Sequence, residues 1–219
     1  MRITRIVLLS FAGVVSAFSQ PFSLGVKAGV PLTDFIDTVQ SPRFGFNSNT
    51  KRYIIGPTAE LRLPFGLGVE FDALYRRLNY EGSTSLIDVF TNSRTTGNSW
   101  EFPLLVKYRF PSHIIHPYVA AGPAWDTLTG LQQSITRTVL PSNQTTTTTG
   151  QPAELKNTTT TGFVIGGGLD IHALVVRLSP EFRYTRWGSQ QFAEPSGLLQ
   201  SNRNQAEFLL GIAFGGRGR

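Results

Sequence analysis

The sequence contains no cysteine. Disulfides, thiolate metal centres and a lipid-carrying cysteine after a leader are therefore excluded. An exported domain of about 200 residues buries enough surface to do without such staples. Charge is also scarce. Asp, Glu, Lys and Arg make up 16% of the chain, against roughly a quarter of a soluble domain. Beyond the first twenty residues no run of about 18 apolar residues occurs, so no membrane-spanning helix is expected. No Pro/Ser/Gly-rich linker divides the 219 residues, which points to one domain. What is plentiful is aromatic and small: 16 Phe, 6 Tyr, 3 Trp and 22 Gly. That mixture suits strands and lacks the Leu/Ala/Glu/Lys excess of a helical protein.

The formal charge is +6, and the basic residues are scattered along the chain. A nucleic-acid surface would gather them into blocks, so nucleic acid is not an expected partner. Two of the cations, Arg2 and Arg5, open a segment that reads as an export signal. Ile6 to Val15 is mostly apolar, and Ala17-Phe18-Ser19 puts small residues at the minus-three and minus-one positions of a cleavage site. The expected division is a signal peptide over 1–19 and one domain over 20–219. Its removal leaves 18 basic residues against 14 acidic ones.

From Phe22 onward the dominant pattern is alternation with period two, the mark of a strand with one apolar face. In 99–110, Trp100, Phe102, Leu104, Val106, Tyr108 and Phe110 share one phase, and Glu101, Lys107 and Arg109 lie in the other. Similar segments run over 22–30, 55–63, 67–75, 117–125, 163–171, 174–184 and 205–214, which makes eight strands. Short joins at Pro64-Phe65-Gly66, 111–116 and His172-Ala173 alternate with long ones at 32–54, 81–98, 126–162 and 187–203. The third long join carries the threonine runs 145–149 and 158–161 and is expected as a mobile excursion, or as strand ends carried beyond the membrane. A transmembrane barrel has this asymmetry of short turns and long loops.

The apolar phase ends on rings that suit a lipid interface: Phe22, Trp100, Phe102, Tyr108, Phe110, Trp125, Phe182, Tyr184 and Phe214. The other phase carries seven cations, Lys27, Arg62, Arg76, Lys107, Arg109, Arg177 and Arg183. Against them stand seven anions, Glu60, Glu70, Asp72, Glu101, Asp170, Glu181 and Glu207. Such balance is what a closed polar lumen requires, because buried ions must be paired or hydrated.

The segment Trp100-Glu101-Phe102-Pro103-Leu104-Leu105-Val106-Lys107-Tyr108-Arg109-Phe110 resembles the signature strand of the PorT-type and OmpA-like bacterial outer-membrane β-barrel domain family. Gly25-Val26-Lys27-Ala28-Gly29, Pro117-Tyr118-Val119-Ala120-Ala121-Gly122, Gly166-Gly167-Gly168-Leu169-Asp170 and Pro180-Glu181-Phe182-Arg183-Tyr184 follow in family order. The resemblance implies an eight-stranded antiparallel up-and-down barrel in the outer membrane of a Gram-negative bacterium. It carries no catalytic residues. Its implied partners are outer-membrane lipid and the barrel assembly machinery; periplasmic chaperones and lipopolysaccharide are expected with them. Two features depart from the pattern. Phe214 is followed by Gly215 to Arg219, and Pro57, Pro103, Pro123 and Pro180 fall inside strands, where bulges or frayed ends are expected.

Catalytic and metal motifs are missing. His113, His116 and His172 do not form a ligand set of recognised spacing. The Gly166-Gly167-Gly168 run is followed by no phosphate-loop pattern, and small residues inside a narrow barrel account for it. Glu70 and Asp72 read as ion-pair partners. No cofactor or metal is expected, and the protein is expected not to be an enzyme. The favoured function is a barrel presenting surface loops for envelope integrity, adhesion or ligand contact. A narrow solute channel is the alternative, or a lipocalin-like calyx with the Trp100/Phe102/Leu104 face turned inward.

Overall fold

The structure, a computed structural model, describes residues 22–38, 44–48, 50–112, 115–142, 144–173, 176–194 and 199–215. The expected signal peptide, His113, and Leu174 with Val175 at the start of the expected seventh strand lie outside these residues.

Eight antiparallel strands close into a ring. They are β1 (Phe22–Pro31), β2 (Ile54–Arg62), β3 (Leu67–Asp72, continued by Leu74–Leu86), β4 (Val89–Arg109), β5 (Ile115–Val139), β6 (Thr159–Ala173), β7 (Val176–Trp187) and β8 (Asn204–Gly215). Each pairs with the next. The last closes on the first, with Leu24 opposite Phe214 and Val30 opposite Phe208. Closure leaves no unpaired edge in the wall, which is the condition for strands to sit in hydrocarbon.

Alternation along every strand separates two environments, and the apolar one is outside. Phe22, Leu24 and Val26 are exposed where Ser23 and Lys27 are buried; Leu67 and Phe71 are exposed where Glu70 and Asp72 are buried. A soluble calyx would reverse this. The calyx alternative, which needs Trp100, Phe102 and Leu104 inside, is therefore overturned: their phase lies on the outer wall, and Glu101 and Lys107 are buried within. A chain of rings runs down that wall: Tyr53 to Tyr75 at 6.5 Å, Tyr75 to Trp100 at 5.2 Å, Trp100 to Phe102 at 6.4 Å and Phe102 to Phe71 at 6.4 Å.

Of the two expectations for the third long join, the structure takes the second, strand ends carried past the wall. Residues 81–98 are a hairpin, with Leu86 opposite Val89. β5 runs to Val139, and Gln144–Gly150 folds back on it, so the threonine tract 145–149 is a strand and not a mobile excursion. Phe44–Ser48 pairs with the far end of β3. The outer halves of β3, β4 and β5 with these two flanking strands form a five-stranded sheet projecting from one end. Thr136 and Thr147 approach at 3.4 Å and Thr138 and Thr145 at 3.3 Å across it. β-branched side chains favour strands even without an apolar face when cross-strand neighbours engage them.

The prolines do not bulge the wall. Among the described residues the one register shift is at Thr96/Asn98. Pairing stays in register through Val26↔Pro57, Pro103↔Ala124, Phe163↔Pro123 and Pro180↔Leu210. The cost is local. Ala73 donates to the Pro57 carbonyl at 3.0 Å, but Pro57 has no N–H to return, and β3 is interrupted at Ala73.

Inside the narrow ring, Gly168 makes room for a ring. A Cβ there would lie 2.3 Å from the Pro180 carbonyl oxygen and 2.7 Å from the Tyr118 hydroxyl. Gly168→Val is expected to destabilise the barrel by about 1–3 kcal/mol through overpacking. The urea midpoint of the purified protein measures it, and an unchanged midpoint would refute this packing role.

Candidate functional site

The lumen is the chemically distinctive place, and it is filled in tiers. Thirteen of the fourteen charged residues named from the sequence are buried inside the ring; the fourteenth, Arg62, keeps 14% of its side chain exposed at the rim beside the short turns.

The middle tier gathers three cations and three anions from β1, β3, β4 and β7. Lys27 Nζ reaches Glu70 at 2.5 Å, Glu181 at 2.7 Å and Asp72 at 3.3 Å. Arg183, fully buried, reaches Asp72 at 2.6 Å, Glu181 at 2.7 Å and Glu70 at 3.1 Å. Lys107 closes on Glu70 at 2.6 Å with its ammonium 4.0 Å from the Tyr118 ring centre, and the Tyr118 hydroxyl donates to Glu181 at 3.1 Å. Period two explains the convergence: Glu70 and Asp72 are two apart on β3, and Glu181 and Arg183 two apart on β7, so each pair points inward together.

The tier toward the short turns is richer in cations. Arg109 is paired with Glu60, and its Nε lies 2.6 Å from Asp170. Arg177 lies 2.7 Å from Glu60 and 3.8 Å from Asp170, and Arg62 lies 3.6 Å from Glu60. The Ser179 hydroxyl donates to Asp170 at 2.6 Å. The tier toward the long loops is the reverse. Arg76 alone faces Glu101 at 3.5 Å, Asp126 at 3.6 Å and Glu207 at 3.6 Å. Ser99 and Gln191 donate to Asp126 at 2.9 and 3.3 Å.

Asp126 and Tyr118 were missed as site residues. Both continue the inward phase Tyr118-Ala120-Gly122-Ala124-Asp126 opposite Val119 and Trp125, a signal that ran one residue past the expected strand end. Leu105, Ala124, Val164 and Trp187 on one side, and Ile54, Leu74 and Leu209 on another, fill the space the ions leave.

Above the upper tier the connections fold inward as a cap. Ile36–Thr38 pairs with Leu199–Ser201. Phe35, Ile36, Phe192 and Leu199 pack with Leu78, Tyr80 and Leu128 from the barrel strands. The Phe35 ring lies 4.8 Å from the Arg76 guanidinium carbon, so the apolar cap rests directly on the ion network. Phe22, Tyr108, Phe110, Trp125, Phe182, Tyr184 and Phe214 are exposed on the outer wall, with Trp100 and Phe102 half-buried among neighbouring rings. Among the described residues no group of three His, Asp or Glu converges to hold a metal ion.

Removing one member of a buried ion network strands its partners. Arg183→Met is expected to cost about 3–5 kcal/mol, because three carboxylates lose their shared cation. Arg94→Met, at an exposed 3.7 Å pair with Glu81, should change stability by no more than about 0.5 kcal/mol. Equal effects in denaturant titrations would contradict the tiered lumen.

The outer membrane protein beta-barrel domain family matches residues 18–188. No curated protein matches the sequence. Among solved structures, the outer membrane protein OprG of Pseudomonas aeruginosa is similar in fold at 12% identity, over 91% of this chain and 97% of that one, with a TM-score of 0.54. The E. coli outer membrane protein W aligns at 14% identity over 90% of this chain and 98% of that one, with a TM-score of 0.41. This closed ring with an apolar wall and a charged interior belongs to the outer membrane protein beta-barrel domain family, and the outer membrane is its place.

Proposed function

We propose that the protein is a non-conducting, non-enzymatic barrel that anchors a rigid sheet at the cell surface for envelope integrity, adhesion or ligand contact. The observation that carries this reading is the filled lumen: three ion tiers topped by an apolar cap whose Phe35 sits on Arg76. Eight strands enclose only as much space as side chains can fill, and here charged side chains and the cap occupy it. A solute channel would need the Lys27/Arg183 cluster and the cap to part together. On this reading the signal over 1–19 exports the chain, and chaperones and the assembly machinery deliver it. The short turns face the periplasm, and lipid meets the aromatic wall. Lipopolysaccharide phosphates meet exposed arginines such as Arg94. The PorT-type affinity rests on the strand around Trp100 to Phe110.

In planar bilayers the purified barrel is expected to give at most small, brief openings. Stable large steps from a pure sample would overturn the closed lumen and favour the channel.

Orientation has its own test. An epitope inserted after Ser142, at the tip of the projecting sheet, should be labelled on intact cells. One inserted at Phe65, which is 92% exposed in the turn between β2 and β3, should be labelled only after the outer membrane is permeabilised. The opposite pattern would invert the topology.

A further inference from the structure

The tier beside the short turns is unbalanced in a way the other two are not. Among the described residues, three guanidinium groups, Arg62, Arg109 and Arg177, surround two carboxylates, Glu60 and Asp170, and all three cations lean on Glu60. Two imidazoles add to the same rim. His116 pairs across the wall with Asp170 and His172 with Arg177, and the two rings meet edge to face at 5.4 Å.

Among the described residues, buried nitrogen atoms of Arg177 and His116 lack a hydrogen bond here. Arg177 is 5% exposed. Its Nη2 is spent on Glu60 and on the Ser23 hydroxyl at 3.3 Å, but Nη1 makes no hydrogen bond. The Nδ1 of His116 makes none either. A buried charged donor left unmade costs more than any other unsatisfied group. Water can fill a hydrogen bond, but it does not cancel the surplus positive charge. An anion does both.

We propose that this rim of the lumen binds a tetrahedral phosphate-type oxyanion, with the free arm of the Arg177 guanidinium and the His116 imidazole as its donors. Guanidinium suits the task because its planar fork can hold a carboxylate with one arm and a phosphate oxygen with the other. The surplus charge selects an anion over a neutral polar solute. Arg62, partly open at the rim, and exposed His172 mark the side from which it enters. Phosphate chemistry reaches this end of the barrel as inorganic phosphate in solution or as the headgroup of a phospholipid in the adjoining leaflet.

The test uses the whole protein in zwitterionic detergent, titrated with inorganic phosphate against chloride at equal ionic strength and followed by the imidazole NMR signals of His116 and His172. A saturable shift with phosphate and none with chloride is expected. Arg177→Lys keeps a cation beside Glu60 but removes the second arm. It should fold, shown by unchanged heat-modifiability on a gel, and bind phosphate about tenfold or more weakly, as loss of one charge-assisted hydrogen bond implies. In nanodiscs, imidazole shifts that appear with phosphatidylglycerol and not with phosphatidylcholine assign the headgroup as the source. A shift with free phosphate alone assigns the solute. Chloride acting as well as phosphate, no response in either arm, or undiminished binding by the folded Arg177→Lys protein would overturn the proposal.

Discussion

The Arg183 guanidinium, buried completely between Asp72, Glu70 and Glu181, is the interaction on which the lumen depends. A charge withdrawn from water costs several kcal/mol unless partners surround it, and Arg183 can afford its position only because β3 and β7 present carboxylates in register. Those carboxylates need Lys27 and Lys107 in turn. The network therefore ties β1, β3, β4 and β7 across the interior, where a soluble protein would use apolar contact. With hydrocarbon outside, water-driven burial gives little cohesion to such a wall. Direct pairing across the lumen takes over that role, as hydrogen bonding and packing do between helices in lipid.

The ring was legible in the sequence because its two faces meet opposite solvents. Trp100, Phe102 and Leu104 alternating with Glu101 and Lys107 stay recognisable whichever side is inward, and all eight strands were visible on that basis. Alternation alone left the side undecided; the exposure of Leu104 and the burial of Lys107 decide it. Of the projecting sheet, extended strand ends were legible but the flanking strands 44–48 and 144–150 were not. Beyond the wall β3 to β5 are mostly polar with scattered apolar residues, so the period-two contrast fades, and Thr145 to Thr149 looks like low complexity until β5 is seen beside it. Asp126 was lost for the same reason at the boundary. The prolines were misjudged in the opposite direction: a ladder bond is lost at Pro57, but uniform pairing on both sides holds the register.

The cap joins what the sequence kept apart. Phe35 and Phe192 come from connections more than 150 positions distant and meet over Tyr80, whose ring lies 5.6 Å from that of Phe192. Neither connection has a periodic pattern, so neither announces a buried role. Their apolar residues are interpretable only once the barrel mouth is in place. With the cap resting on Arg76, the mouth and the ion network form one mechanical unit, and disturbing either loosens the other.

The seam between β1 and β8 is where the chain closes into a ring. Its first strand, Phe22–Pro31, finds one of its two neighbours only in Asn204–Gly215, the last of the eight strands. Lys27 draws Glu70 and Asp72 from the amino-terminal half of the ring and Glu181 from the carboxyl-terminal half. A partial ring of the first strands alone would leave an open edge and Lys27 without Glu181. Docking of β8 between β7 and β1 is what completes the wall, so the integrity of the whole ring hangs on one seam.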